Sequence, residues 1–407
     1  MAVPAYAWRV RGRAYAIFGF VILALSTPGA LVLHSHLRVL PHGAPLLLDV
    51  GFAYAMAAAA THLAALVRPQ LRSRPFRILI SIPGMTFVAA GFLGGLWLLA
   101  MLPVRALLAA LGWRGALAVL GWLDALPLLV AAVSVPTSLR LPREIVRVVL
   151  GDDGPEEITR VPVERYRRRA PAPLAERPLR IVQIADPHLG PWQPEALLQR
   201  RIEALVAHDP DLVLLTGDFL TMEGAATRGA LARALDPLRR VPGRCYAIFG
   251  NHDHEARAEV CAALDANGVR LLVDAEAVAQ TPVGPVQIVG ADYVGRGREA
   301  HIQAVLAQHP RRDGHLRLLL LHDPAVFRFV PRGDVDLTLS GHTHGGQLGL
   351  VSFGLNWTVL TRTAWPDHGL FAHGSNRLYV HRGTGFYGFP LRVGVPGEAS
   401  LLELVLT

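Results

Sequence analysis

The sequence predicts an N-terminal bundle of four membrane-spanning helices followed by an α/β domain. Three observations carry this. The 407 residues are 52% hydrophobic with a mean hydropathy of +0.34, too apolar for an ordinary soluble chain. Four apolar stretches, at 14–33, 45–67, 78–101 and 116–138, each approach or exceed the ~20 residues that cross a hydrocarbon core. From residue 179 onward, short apolar runs alternate with amphipathic ones.

The first apolar stretch follows Arg9, Arg11 and Arg13 and resembles a signal peptide at its start, but no small-residue cleavage site closes it. It is read as a retained helix. Orientation follows from the short loops. Arg9, Arg11 and Arg13 precede helix one, Arg68, Arg72, Arg74 and Arg77 fill the second loop, and Arg140, Arg143 and Arg147 follow helix four. The opposite side carries Arg38, Arg105 and Arg114. The positive-inside rule therefore predicts a multi-pass protein of the inner membrane, with both termini and the C-terminal domain on the cytoplasmic face. Arg114 and Asp124 interrupt the fourth stretch and make it the weakest span.

The net charge of +8 is carried without lysine, so every basic side chain other than histidine is a guanidinium able to grip phosphate bidentately. These arginines cluster beside apolar segments, which favours membrane lipid over nucleic acid as the partner. Residues 140–178, rich in Arg, Glu and Pro, read as a juxtamembrane linker, and the run Tyr166-Arg167-Arg168-Arg169 is a candidate grip on anionic headgroups. The two cysteines, Cys245 and Cys261, have no metal spacing and read as buried thiols. The sequence leaves the oligomeric state open.

Domains are expected at 1–139 (the four-helix anchor), 140–178 (the linker) and 179–407. In the last, strands are predicted at 180–185, 211–216, 244–249, 286–289, 316–321 and 335–339, and helices near 194–208, 226–240, 254–267 and 298–308. Open α/β sheets gather ligands past the carboxyl ends of their strands. There the sequence places Asp186 and His188, then Gly217-Asp218, Gly250-Asn251-His252-Asp253, His322, and Gly341-His342-Thr343-His344. Carboxylates and imidazoles without thiolate suit Mn²⁺, Fe or Zn²⁺. Asp186, His188, Asp218, Asn251, His322, His342 and His344 are seven donors, too many for one catalytic ion and enough for two that share a carboxylate, with Asp218 the natural bridge. Such a pair lowers the pKa of a shared water and neutralises phosphate oxygens, so Asp218 and His252 are the catalytic candidates, with His252 able to protonate a leaving oxygen. Asp253 suits two roles, orienting His252 or capping the helix after it.

This ordered set, Asp-x-His, Gly-Asp, Gly-Asn-His-Asp, His and Gly-His-x-His, resembles the calcineurin-like metallophosphoesterase superfamily over about 179–407. The resemblance implies an α-β-β-α four-layer sandwich. It assigns Asp186, His188, Asp218 and His344 to one ion, Asp218, Asn251, His322 and His342 to the other, and the leaving-group role to His252. The segments 341–347 and 379–391 are similar to a YaeI/YkuE-like bacterial phosphodiesterase subgroup that includes members with N-terminal transmembrane helices. Gly345, Gly346 and Gly385 are expected at tight turns. Protein Ser/Thr phosphatases of the superfamily continue Gly-Asp-x-x-Asp-Arg-Gly, whereas Phe219-Leu220-Thr221-Met222-Glu223 follows here, which argues against that activity.

The expected function is a membrane-anchored phosphodiesterase or pyrophosphatase that uses a metal-bridging hydroxide on a phosphorylated, lipid-linked substrate. The alternative is a membrane sensor or transporter with a regulatory phospho-ligand domain, prompted by Asp49, His62 and Asp124 in or beside the spans. Helix pairing is the simpler role for those three. His34, His36 and His42 look like a metal cluster without carboxylates, and His254, His301, His309 and His315 read as surface residues. Phe353, Trp357, Trp365 and Phe371 suit either an apolar lip toward lipid or the core.

Overall fold

In a computed structural model, residues 2–10, 12–38, 44–151, 153–167, 172, 174–386, 388 and 390–406 are described. The chain divides into two compact units. One comprises Met1–Leu139 with Gly388–Val393, and the other Arg140–Tyr387 with Gly394–Thr407.

The first unit holds four helices long and apolar enough to cross a membrane: Tyr15–Arg38, Pro45–Ala65, Arg74–Ala110 and Arg114–Leu139. The third carries a π-helical turn, Arg77–Ser81, just before Pro83. Proline has no N–H to give the carbonyl of Leu79, and the Tyr54 hydroxyl donates to that carbonyl instead. The fourth bends at Asp124, between helices Arg114–Leu123 and Leu126–Leu139. Asp124 is fully buried and accepts from Trp97 Nε1 at 2.8 Å and Arg105 at 2.6 Å, with His36 Nδ1 at 2.5 Å. Asp49 likewise pairs with His34 at 2.7 Å and Arg38 at 3.1 Å. His34 and His36 thus have carboxylate partners that their spacing concealed. The ionisable groups here join helix to helix, as a low-dielectric setting demands. His62 is buried, and His42 lies outside the described residues. Gly388–Val393 belongs to this unit because Ser134 and Thr137 donate to the carbonyls of Pro390 and Arg392, at 2.6 and 2.8 Å.

The second unit is built on fourteen strands: β1 (Arg143–Leu150), β2 (Thr159–Arg160), β3 (Glu164–Tyr166), β4 (Leu179–Ile184), β5 (Leu212–Leu215), β6 (Cys245–Ala247), β7 (Arg270–Leu271), β8 (Ala275–Thr281), β9 (Gly284–Ala291), β10 (Leu316–Leu321), β11 (Leu337–Ser340), β12 (Gly369–His373), β13 (Asn376–Val380) and β14 (Ala399–Leu406). They form two seven-stranded sheets, ordered β3-β1-β14-β4-β5-β6-β7 and β2-β12-β13-β11-β10-β9-β8. In the first, β4 through β7 run parallel and β14 pairs antiparallel to β4. In the second, β9, β10, β11 and β13 are mutually parallel neighbours.

Alternating side chains of both sheets, among them Val148, Ile181, Leu214, Ile288, Leu318, Leu337 and Leu402, meet in one core. Helix Arg298–Gln308 covers the outer face of the second sheet through Ile302, Val305 and Leu306. Helices Glu195–Val206, Ala230–Leu235 and Arg257–Ala266 bury Leu198, Ile202, Leu231 and Leu264 and form the other outer layer. The four layers match the expected sandwich.

Residues 140–178 depart from the expected linker. β1 lies inside the first sheet, parallel to β14, with β3 at its edge, and β2 extends the second sheet. The polar composition that suggested a linker belongs to buried ion pairs. Glu144 is fully engaged by Arg382 at 2.6 Å and Arg165 at 2.8 Å, and Arg147 pairs with Glu403 at 3.1 Å. Cys245 is buried as expected, while Cys261 is half-buried.

Candidate metal centre

Five of the seven donors leave the ends of strands in left-handed backbone conformation. Asp186, His188, Asp218, His342 and His344 have φ of 49°, 44°, 57°, 70° and 51°. These are five of the eight non-glycine residues with positive φ among the described residues. Asp and His tolerate this region better than most side chains, yet five together mark loops held against their preference.

The Asp218 turn is held by Asp253. Its carboxylate accepts from the backbone N–H of Asp218 at 2.7 Å, Phe219 at 2.8 Å and Gly250 at 2.8 Å. It neither orients the His252 ring nor caps the following helix, the two roles its sequence position suggested. It locks the β5 turn to the β6 turn. Glycine is required where these turns touch: a Cβ on Gly250 would stand 2.2 Å from Asp218 Oδ1, and one on Gly341 2.3 Å from Asp186 Oδ2. Gly345 and Gly346 do adopt positive φ, at 63° and 69°, whereas Gly385 serves a close approach, 2.1 Å from a Cβ there to the Pro187 carbonyl.

The loops gather donors into two groups, Asp186, His188 and His344, and Asp218, His322 and His342. Asn251 joins the second with Oδ1 3.2 Å from His322 Nε2. Asp218 Oδ2 lies 3.7 Å from His188 Nε2 and 3.4 Å from His322 Nε2, facing both groups. All seven sequence candidates converge.

The donor chemistry fits cations. His322 Nδ1 lies 2.7 Å from the Thr216 carbonyl, so that nitrogen carries a proton and Nε2 turns its other face to Asp218, Asn251 and His342 Nδ1, the last at 3.2 Å. His188 Nε2 and His344 Nε2 approach to 3.1 Å. Carboxylate, amide and imidazole donors gathered this closely make a donor set suited to divalent cations. Burial opposes charge on His322, yet the carboxylates of Asp218 and Asp186 raise it to about 10. Despite burial, His322 and His188 hold Asp218 well below the usual carboxylate range. Burial lowers His188 to about 4, with His252 and His322 adding repulsion against Asp218's pull, and burial with His322 lowers His342. Burial and the neighbouring Asp218 push Asp253 up.

His252 stands at the rim. Its side chain is 29% exposed, its ring lies edge-on to His188 at 5.6 Å, and its N–H donates to Asp218 Oδ1 at 2.9 Å.

The chain is similar to known proteins over this unit. Residues 179–346 match the model of the calcineurin-like phosphoesterase family. Phosphodiesterase YaeI of Escherichia coli (strain K12) is 31% identical over 233 residues, 56% of this chain and 83% of that protein. The chain belongs to the calcineurin-like phosphoesterase family. The metallophosphoesterase YkoQ of Bacillus subtilis (strain 168) is 30% identical over 243 residues, 56% of this chain and 85% of that one. A transmembrane protein with metallophosphoesterase domain from Danio rerio is 29% identical over 268 residues, and this chain covers 56% of it. Family and apolar helices together describe a metal-dependent phosphoester hydrolase domain in a membrane protein.

Other residues at the phosphoesterase site escaped sequence reasoning. Tyr293, two residues past β9, sets its ring 6.1 Å from His322 and 6.2 Å from His342. Arg298 lies 5.9 Å over that ring and donates to Asp323, next to His322, at 2.7 Å. Strand-end position was the available signal for Tyr293. His254, expected as an unpartnered surface residue, pairs with Asp292 at 3.1 Å and faces Tyr293. His301 and His309 both contact Asp274, and His315 contacts the Asp313 carbonyl.

Proposed function

We propose that this protein is a membrane-anchored phosphodiesterase or pyrophosphatase that works with two divalent ions, Mn²⁺ first, with Fe or Zn²⁺ as alternatives. The observation that carries the reading is the convergence of seven donors in two groups about one shared carboxylate, Asp218. Asp186, His188, Asp218 and His344 would hold one ion, and Asp218, Asn251, His322 and His342 the other. When bound, the ions activate water and neutralise charge on the phosphoryl group. The chain supplies the rest. The Thr216 carbonyl fixes the His322 tautomer, Asp253 fixes the Asp218 turn, and His252 at the open rim gives its proton to the leaving oxygen.

The diester preference is supported by the YaeI relative and by the sequence Phe219-Leu220-Thr221 after Asp218, where Phe219 is buried in the core. Four apolar helices support a substrate at the bilayer, a phosphorylated and lipid-linked molecule, because tethering raises the local concentration of enzyme over headgroups. The arginine distribution of the short loops supports a catalytic domain on the cytoplasmic side of the inner membrane. Of the three residues that prompted the sensor reading, Asp49 and Asp124 are occupied by ion pairs, which leaves buried His62.

The test is hydrolysis by the full-length protein, stripped of metal and resupplied with Mn²⁺, of bis-p-nitrophenyl phosphate against p-nitrophenyl phosphate, then of phospholipids and lipid-linked nucleotides. Faster diester turnover and activity on a lipid-linked member support the reading. Metal binding with no turnover of any ester overturns it.

A further inference from the structure

A second cavity, of about 530 Å³, lies in the α/β unit apart from the seven donors. Its walls come from 160–167, from 351–356 and from the start of β12, and its charged residues are Arg160, Arg165, Arg167, His368 and Arg382. Three carboxylates face these groups. Asp367 pairs with Arg160, Glu144 with Arg165, Arg167 and Arg382, and Glu398 with Arg165 and Arg382. Four guanidiniums against three carboxylates leave one positive charge uncompensated. Arg165 Nη2 has no hydrogen-bond partner among the described residues. Such a buried guanidinium donor is costly unless a ligand satisfies it, and a phosphate oxygen suits it. His368, 3% exposed, lies 3.3 Å from Asp367 through Nδ1, which leaves its Nε2 an acceptor.

The loop that supplies Val351, Ser352, Gly354 and Asn356 to the cavity wall also carries an exposed apolar set. Leu350, Phe353, Leu355, Trp357, Val359 and Trp365 are exposed, Phe353 to 76%. From Leu348 to Pro366 the sequence contains no acidic residue, and Arg362 is exposed among them. Exposed tryptophans and a phenylalanine beside arginines are the composition of a membrane interface, where aromatic rings sit at headgroup depth and guanidiniums meet phosphate. Four helices apolar enough to cross a membrane belong to the same chain. Phe371 takes no part, being buried in β12.

We propose that the loop 350–365 and the arginine cavity beside it form a docking surface for an anionic phospholipid, the loop entering the interface and the cavity seating the phosphate headgroup. Arg167 is the described member of the arginine run that the sequence singled out, and it lines this cavity. The occupant is a lipid of the bilayer, and none of the seven donors lines the cavity.

The full-length protein, reconstituted in nanodiscs whose acyl chains carry bromine, tests this. The fluorescence of Trp357 and Trp365 is obtained by difference from the variant Trp357→Phe/Trp365→Phe. The proposal expects quenching of that difference signal in discs containing phosphatidylglycerol and much less in pure phosphatidylcholine. Removing one surface arginine charge costs about fivefold in apparent affinity, so Arg167→Gln shifts the phosphatidylglycerol dependence by about that factor. Arg167 is exposed, and an unchanged melting temperature shows the variant folds. Unquenched tryptophans in both discs overturn the proposal. So does quenching indifferent to phosphatidylglycerol and to Arg167→Gln. Displacement of the loop by soluble glycerol phosphate at equal concentration would assign the cavity to a free phosphate ligand and also overturn it.

Discussion

Positive φ at Asp186, His188, Asp218, His342 and His344 is an expense of roughly 1–3 kcal/mol per residue, and the turns keep it because their backbone groups are tied from outside. Asp253 supplies three of those ties. Asp253→Asn keeps the size but replaces an acceptor oxygen with an NH₂ group aimed at backbone donors. A buried donor left unsatisfied costs about 1–3 kcal/mol, and metal affinity falls about 10–100-fold when a supporting partner is lost. Thermal melting and metal titration of the variant should show both losses. His252 predicts a different signature. His252→Ala should lower kcat about 10²–10⁴-fold for an alkyl leaving group, and far less for p-nitrophenolate, which departs without a proton. Equal losses on both esters would remove it from the leaving-group role. The seven donors were legible because each follows an apolar run at a fixed, local spacing. The task of Asp253 was not, because two of its three partners lie 34 and 35 residues away and all are backbone atoms that no sequence pattern marks.

Among the strands, those that end in a site residue were readable and those that only complete a sheet were hidden. β4, β5 and β10 are mostly apolar and almost wholly buried, and β11 alternates Leu337 and Leu339 with buried Thr338 and Ser340, whereas β1 interleaves Glu144 and Arg147 with Ile145, Val146 and Val148. Charge in a strand usually signals solvent. Here it signals Glu144 and Arg147 engaged with Arg165, Arg382 and Glu403, partners supplied by β3, by the segment after β13 and by β14. The pairing register Arg143↔Ala399 through Leu150↔Leu406 makes β1 a neighbour of β14 along its whole length. A soluble fragment starting at residue 140 should therefore fold cooperatively. One starting at 152 should leave β14 without its parallel partner and Arg165 and Arg382 without Glu144, and should aggregate or melt without a transition. Equal melting temperatures for the two fragments would return 140–151 to linker status.

At the scale of the whole molecule, composition read the membrane unit well because crossing a bilayer imposes length and apolarity directly on sequence. It could not show that Asp124 knits three helices, nor that Gly388–Val393 belongs to the helical unit. Acid stability is a global property that a few buried groups dominate. Burial lowers His381 to about 4, against the pull of Glu398 and with the push of Arg382. The unfolded chain binds that proton near pH 6.5 and the folded chain only near 4, so unfolding binds protons in between. Stability should rise with pH across this window and fall as pH drops from 6.5 toward 4, and His381→Gln should flatten that dependence in denaturant titrations.

The central claim is that two ions share Asp218. Metal content and diester turnover measured together, during titration of the stripped full-length protein with Mn²⁺, test it most directly. Two equivalents bound, with turnover rising only as the second enters, and both lost in Asp218→Asn, is the predicted result. Full activity at one equivalent, or an Asp218→Asn variant that binds two ions and turns over normally, would contradict it.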